Sequence, residues 1–549
     1  METDSKETSS SSAAGTTFTA EPSNPRAAVG FRVGTTAIAL ALVAVLAKVM
    51  GFGEKMVIAH YFGTTSSADI YFAVTTILLQ AVFLVRELIH PTLLPTLNQA
   101  MAISPGVFND LFARMFRWVF LLALLAAGAV AVLMPHTVHL FVPGFEDGQK
   151  AQVTQLMRWL LPAGVLMALI AVTYTTLNAR GRLVASSLAE AAFKAIVLMG
   201  MFLLIPLAGL HASPLTMVVG AAACLSIHLI VLRPHGVVYS GGVKQSPESG
   251  RLLNKTGWLM APIVLGVVFS HISDLVDVHL ASRLPPGELS YLSYAKKIAD
   301  SMLLIGPVAL ATVLYAKAAR LASLSRHDEL AELVNKGLKL LLFLGVPIAC
   351  MMIELRMPIV KVLFQHGKFD PASTAGVAAA LVVYGLGLVT LCVEGLTVYS
   401  FYAMTDTRTP VVAGIICVIL NVVLAVLLVG PMGYLGIAAA LVIAKSVKIV
   451  ALLILLRRKL CGRLLDREWI GFAAKLAMSA AVMWLSVWLL DGQLFTAKTN
   501  PILLLVASSI VAVVVYIGFS HLLGLKEPRL LVEVLPLKRL LKGRGGAGQ

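Results

Sequence analysis

"TTAIALALVAVLAKVMGFGEKMVIAHYFGTTSSAD", Thr35–Asp69, decides the fold. Its first half is as apolar as a membrane span. Lys48, Glu54 and Lys55 then arrive close together, with glycines at 51 and 53. A charge at the centre of a lipid-embedded helix costs on the order of 3 kcal/mol on insertion scales. Such a helix is stable only if one face meets protein or water. One span therefore implies a bundle around a polar interior.

The rest of the 549-residue chain supplies that bundle. It is 58% hydrophobic and 13% charged, well outside the range of soluble domains. Apolar stretches of about 20 residues recur throughout, each long enough to cross a hydrocarbon layer ~30 Å thick. About fourteen are expected, making an all-α polytopic membrane protein. The short alternating strands of a membrane β-barrel are absent from the sequence. The net charge of +16 falls in alternate loops: Arg114 and Arg117, Arg180 and Arg182, Arg233 to Lys255 with Lys244 between, Lys317 to Arg326, Arg408, Arg457 to Arg463, and a C-terminal cluster with Lys538, Arg539, Lys542 and Arg544. Loops rich in Lys and Arg stay cytoplasmic, so both termini are expected inside a bacterial inner membrane. With no aromatic-basic module beside the charge, nucleic acid is not an expected partner. Membrane lipids are. The five cysteines lack the spacing of a disulfide frame or zinc site. Residues 1–28 have the composition of a disordered tail and not of a signal peptide.

The two halves echo each other. "HLFVPGFED" around Phe141 and Phe145 has its counterpart in "VLFQHGKFD" around Phe364 and Phe369. "LNARGR" pairs with "FYAMTDTRTP", and "TLLPTLNQA" with "ATVLYAKAA", at nearly constant offset. Six spans repeated in parallel, plus two more, account for this. The expected division is a tail at 1–28, an N-lobe at 29–235, a C-lobe at 252–457, two spans at 468–525 and a basic tail at 526–549. Parallel repeats of this kind enclose a central site.

The first two spans of each half carry the intramembrane charges, so they are expected to line that cavity. Lys48 and Lys55, seven apart, share a helix face, and Lys297 in "YLSYAKKIAD" approaches from the other lobe. Cations on both walls suit a phosphorylated headgroup. Glu54, Asp69 and Arg86 join the candidate substrate set. Asp69, after "GTTSSA", also suits a cap on its own second span. Glu190 and Lys194, four apart, fit an intrahelical pair. Lys445 and Lys448 fit snorkelling to the interface. Gly51 and Gly53 suit either a bend or close helix packing.

These segments resemble the MurJ/MviN family of lipid II flippases in the MOP exporter superfamily. "KVMGFGEKMVIAHYFGTTSSADIYFAV" is similar to that family's first-span signature. "YLSYAKKIAD", "LFQHGKFDPASTAGVAAALVVYGLGL" and "SFYAMTDTRTPV" are similar to three later motifs, in the expected order across about residues 35–525. The resemblance implies two lobes, export of an undecaprenyl-diphosphate-linked glycan, and a tail groove formed with the last two spans. It assigns the first-helix cation to Lys48, the eighth-span cation to Lys297 and the loop acid to Asp69. Some members bind sodium, and Asp277 and Asn421 match two of those positions, while Ala425 stands at the third. Glu54–Lys55 reverses the family's charge order, and Arg86 replaces a cation expected near Phe83.

No cofactor is implied beyond Na+ or H+ coupling or the membrane potential. Proteins of cell-envelope synthesis are candidate partners. The lead expectation is a lipid II flippase. An exopolysaccharide-unit flippase and a MATE-like drug or cation antiporter are the alternatives, the latter kept open by Asp274 and Asp277. An enzyme is not expected, since the loops are short and no phosphate-binding loop or metal-hydrolase motif occurs.

Overall fold

The computed structural model describes residues 25–235, 246–460, 464, 468–494 and 500–534. Residues 1–24 of the expected N-terminal tail lie outside these. So do Lys244, Cys461, Arg463 and the tail cations Lys538, Arg539, Lys542 and Arg544. From Pro25 the chain is already helical, so the tail expected to reach residue 28 ends sooner.

Seventeen α-helices and no strand occur among the described residues: α1 (Pro25–Phe62), α2 (Ser66–Ile103), α3 (Pro105–Phe141), α4 (Asp147–Ala179), α5 (Leu183–Ala208), α6 (Ala212–Leu232), α7 (Pro247–Ala281), α8 (Glu288–Ile305), α9 (Pro307–Ser323), α10 (His327–Glu354), α11 (Arg356–Phe364), α12 (Pro371–Ala403), α13 (Arg408–Met432), α14 (Tyr434–Lys459), α15 (Glu468–Leu494), α16 (Pro501–Leu522) and α17 (Glu527–Val534). Ten stretches among them are long and apolar enough to cross a membrane, one of which, Leu183–Leu232, contains both α5 and α6. The helices α1, α7, α8 and α9 are outside that set, and fourteen spans remains an expectation.

Local chemistry sets the helix starts. A polar side chain followed by proline opens several of them. Ser104 accepts from Val107 N at 3.2 Å ahead of Pro105. Asp370 accepts from Ser373 N at 2.7 Å ahead of Pro371, and Asn500 accepts from Ile502 N at 3.0 Å ahead of Pro501. The side chain satisfies an orphan N–H, and proline occupies a position whose N–H has no helical partner. Glu146 and Gln149 form a reciprocal capping box at α4.

The repeat suggested by the sequence is visible in the packing. In the first half α1 packs on α5, α2 on α4, α3 on α4, α4 on α6 and α5 on α6. In the second half α7 packs on α13, the α8–α9 pair on α12, α10 on α12, α12 on α14 and α13 on α14. Each contact has its counterpart six spans later. Two continuous helices of the first half correspond to broken ones in the second. Gly306 and Pro307 divide α8 from α9, and Leu355 divides α10 from α11. The helix α15 packs on α10 and α16, beside the second half. Outward faces such as Leu121, Leu122, Leu125 and Val132 of α3 are exposed apolar surface, which hydrocarbon covers without penalty.

The lobes meet along two seams of different character. Hydrogen bonds join α2 and α3 to α7 along its length. They include Ser249 Oγ to Asp110 at 2.5 Å, Thr256 Oγ1 to Thr96 at 3.1 Å, and Gln80 Nε2 to Asp274 at 2.7 Å. The α1–α8 seam is tied at the end where α1 turns into α2. Farther down α1, Leu42, Val45, Leu46 and Val49 are exposed.

Candidate headgroup chamber and its closed end

Glu54 of α1 is almost fully buried, and three groups hold its carboxylate. Lys55 approaches at 3.1 Å, Lys194 of α5 at 3.8 Å, and the Tyr71 hydroxyl of α2 donates a short hydrogen bond. Lys55 also donates to the Tyr71 hydroxyl at 3.0 Å and lies over the Tyr71 and Phe72 rings. From the other lobe comes Lys297 of α8. Its ammonium is repelled by Lys55, Lys194 and Lys48 and attracted by Glu54. It lies 4.0 Å from where a Cβ on Gly51 would stand. Lys48, Lys55, Lys194 and Lys297 therefore share one electrostatic neighbourhood with the Glu54 carboxylate, which among the described residues is the one acid that forms an ion pair with any of them. Lys48 itself is exposed. Among the described residues neither Lys48 nor Lys297 has an ion-pair partner.

This set includes Lys194, which spacing alone assigns to Glu190. In the structure that pair does not form. Glu190 instead takes both amino groups of Arg86 at 3.1 and 3.3 Å, with the guanidinium over the Tyr174 ring at 4.9 Å. Arg86 thus carries its own counter-ion and is not brought into the lysine set. The switch arises because α1 and α2 insert Glu54 and Arg86 beside α5, and partners across helices satisfy both charges. Nothing in a one-helix pattern signals that exchange. Gly53 settles as close packing, whereas Gly51 meets nothing nearer than the Lys297 ammonium. The helix α1 runs unbroken through Gly51 and Gly53, and a Cβ on Gly53 would stand 3.1 Å from Leu198 of α5.

Asp69 does not cap its own helix, as its position after "GTTSSA" suggests, and it does not face the lysines. Its carboxylate accepts from Gly287 N at 2.6 Å, Ser290 N at 2.8 Å and Ser290 Oγ at 2.5 Å. A buried acid of one lobe thus caps the first turn of α8 in the other, where free N–H groups and the helix dipole favour negative charge. Around it Tyr294 donates to Gly63 O at 3.0 Å, Lys368 N to His60 O at 2.9 Å, and the Thr64 and Ser373 hydroxyls meet at 2.6 Å. The motif around Phe369 therefore helps fasten the two lobes at the end where α1 turns into α2.

The acids of α7 are engaged as well. Asp274 pairs with Lys296 at 2.5 Å. Lys448 pairs with Glu394, and Lys445 acts on Glu394, Asp274 and Asp277. Both lysines turn inward, contrary to snorkelling, because interior carboxylates are within reach. The Asn421 side chain lies beside the Asp277 carboxylate, both are buried, and neither Asp277 Oδ1 nor the Asn421 amide makes a hydrogen bond of full geometry. These oxygens resemble cation ligands, but the donor set does not fit sodium. Lys296 and Lys445 already place two ammonium charges around Asp277, and Ala425 offers a buried methyl in place of a third oxygen.

Two matching halves, α1–α6 and α7–α14, that bring polar side chains together across their seam give the fold also seen in solved transporters of the MOP superfamily. A solved MATE-family multidrug transporter of that superfamily, in an inward-facing conformation, superposes with a TM-score of 0.64 at 10% identity, covering 78% of this chain and 98% of its own. A solved lipid II flippase MurJ in an inward closed conformation gives 0.75 at 20% identity, covering 88% and 98%. The family model for lipid II flippase MurJ matches residues 58–508, and the chain belongs to that family. It is 27% identical over 486 residues to a probable lipid II flippase MurJ of Vibrio cholerae, spanning 84% of this chain and 90% of that relative. Identity to a probable lipid II flippase MurJ of Rhizobium tropici is also 27%, over 529 residues, 90% of this chain and 94% of the relative. Such a chain is a multi-pass transporter of the bacterial inner membrane.

Proposed function

We propose that the protein moves lipid II, a polyprenyl-diphosphate-linked glycan, from the inner to the outer leaflet by alternating access. The observation that supports this most is the group of four lysines drawn from both lobes around one carboxylate. Positive charge in excess there suits a diphosphate and repels an organic cation, which weighs against antiport of cationic drugs. Lys48, Lys55, Lys194 and Lys297 hold the diphosphate as point charges on flexible stems. Lys48, exposed at the mouth, meets it first. The polyprenyl tail stays in lipid and against an apolar cavity of about 500 Å³, lined by Cys350, Ala480, Ala481, Trp484, Leu485 and Trp488 on α10 and α15.

With both termini cytoplasmic, as loop charge favours, the end closed by Asp69 faces away from the cytoplasm and the chamber loads from inside. Opening then requires α8 to leave Asp69 while the lobes rock about the α2–α7 seam. The membrane potential drives the anion outward at ~2.3 kcal/mol per elementary charge per 100 mV. No ion step through Asp277 and Asn421 is invoked. The test is the lipid-linked intermediate that accumulates in cells depleted of the protein. Accumulated lipid II supports the proposal. Another accumulated glycan, such as an exopolysaccharide unit, reassigns the cargo, and no accumulation removes the flippase role.

A further inference from the structure

The buried Glu54 carboxylate sits among the lysines to which the reading above gives the headgroup diphosphate. Lys55 and Lys194 reach it from two helices, and the Tyr71 hydroxyl pins it. Phe72 and Phe193 flank the two ammonium groups, with centroids at 5.2 and 5.1 Å. The site is thus filled by the protein's own anion. Gly53, tight against Leu198, lets α1 lie close to α5 and brings Lys194 to within 3.8 Å of the carboxylate.

We infer that Glu54 is a resident counter-anion that every incoming headgroup must displace from Lys55 and Lys194. It sets a threshold that diphosphates cross and monoanionic phosphodiesters do not. The inference rests on the diphosphate assignment above. A phosphodiester of ordinary membrane phospholipid carries one negative charge, the same as Glu54. Exchanging one for the other gains little, so the chamber stays closed to the lipids that vastly outnumber the cargo. A diphosphate brings at least two charges to the same lysines and still meets Lys297 and Lys48, so its exchange is favourable. The same carboxylate returns to the lysines when the diphosphate leaves, which speeds release.

The experiment uses the purified full chain in detergent, with inorganic pyrophosphate and dimethyl phosphate as probes, measured by calorimetry. Wild-type protein is expected to bind pyrophosphate and to give no measurable binding of dimethyl phosphate. In Glu54→Gln both probes are expected to gain by a similar factor, on the order of tenfold, bringing dimethyl phosphate into range. A similar factor for both is the signature of displacement. A carboxylate that merely repelled ligands from a fixed position would favour pyrophosphate disproportionately when removed, and that result overturns the inference. So does unchanged or weaker pyrophosphate binding in Glu54→Gln. Tyr71→Phe, which keeps every charge but unpins the carboxylate, serves if Glu54→Gln does not fold. It is expected to shift both probes the same way by a smaller factor, and weaker binding counts against the proposal. Lys55→Gln and Lys297→Gln separate the two levels. If wild-type binding depends on these lysines but Glu54→Gln gives no gain, only the role of Glu54 falls. If pyrophosphate binding is absent, or indifferent to both lysines, the diphosphate assignment falls with it.

Discussion

At the scale of residues, the protein stores charge in pairs that sequence spacing does not disclose. The positions of Lys48, Lys55 and Lys297 in the first and eighth spans lead to the expectation of one shared cavity, and in the structure Lys48 and Lys55 lie within electrostatic reach of Lys297. Asp69 shows the limit. Its sequence context is that of a helix cap, and it is one, but for a helix more than 200 residues away. Three hydrogen bonds to a carboxylate hold this closure, each worth about 1.5–3 kcal/mol at most. Asp69→Asn forfeits the charge and turns an amide donor toward other donors. A loss of ~2 kcal/mol is roughly thirtyfold in the closed-to-open ratio. Labelling of Ser373→Cys by a thiol reagent, with the native cysteines replaced, should rise severalfold in that background. Unchanged labelling would show that Asp69 does not hold the end shut. In the loop before α13, Asp406 is held well below the usual carboxylate range by hydrogen bonds from Lys459 and Thr409. Because its folded value is depressed, its stabilisation is full above about pH 4 and fades as pH falls toward the depressed value. Asp406→Asn should therefore lower the thermal midpoint at pH 7, and the difference should shrink in acid. A constant difference from pH 7 to pH 3 would contradict the ion pair.

At the scale of elements, spans and repeat were legible because hydrocarbon demands long apolar runs and an even-numbered repeat preserves direction. The breaks were less so. Pro91 and Pro95 lie inside an unbroken α2, where neighbouring helices tolerate proline, whereas Pro358, which cannot donate to Glu354 O, stands just past the break at Leu355. Proline alone therefore does not say which span breaks. The repeated phenylalanine motif acquires its meaning at this scale. Gly367, between Phe364 and Phe369, has φ +64°, and a Cβ there would stand 2.2 Å from His60 O. The left-handed backbone and the close approach both require glycine. Gly367→Ala should therefore push the α11–α12 turn off the end of α1. A drop in thermal midpoint with raised Ser373→Cys labelling is expected. A wild-type profile would mean that this contact bears no part in closure.

At the scale of the whole molecule, one seam is continuous and the other is fastened at one end. Lobes that rock about α2–α7 must separate at Thr64 and Ser373. Their hydroxyl oxygens are 2.6 Å apart, so cysteines at both positions should cross-link under mild oxidation. The linked protein should lose translocation and regain it on reduction. Full activity while linked would exclude opening at this end. The architecture predicts where separation occurs, and the lysines predict what is carried through. The most direct test of that second claim is lipid II translocation in proteoliposomes holding wild-type protein, Lys297→Gln or Lys297→Arg at equal density. The glutamine variant should lose at least about tenfold in rate, equivalent to ~1.4 kcal/mol, and the arginine variant should retain most of it. Glutamine translocating at the wild-type rate would contradict a cationic chamber as the path of the headgroup.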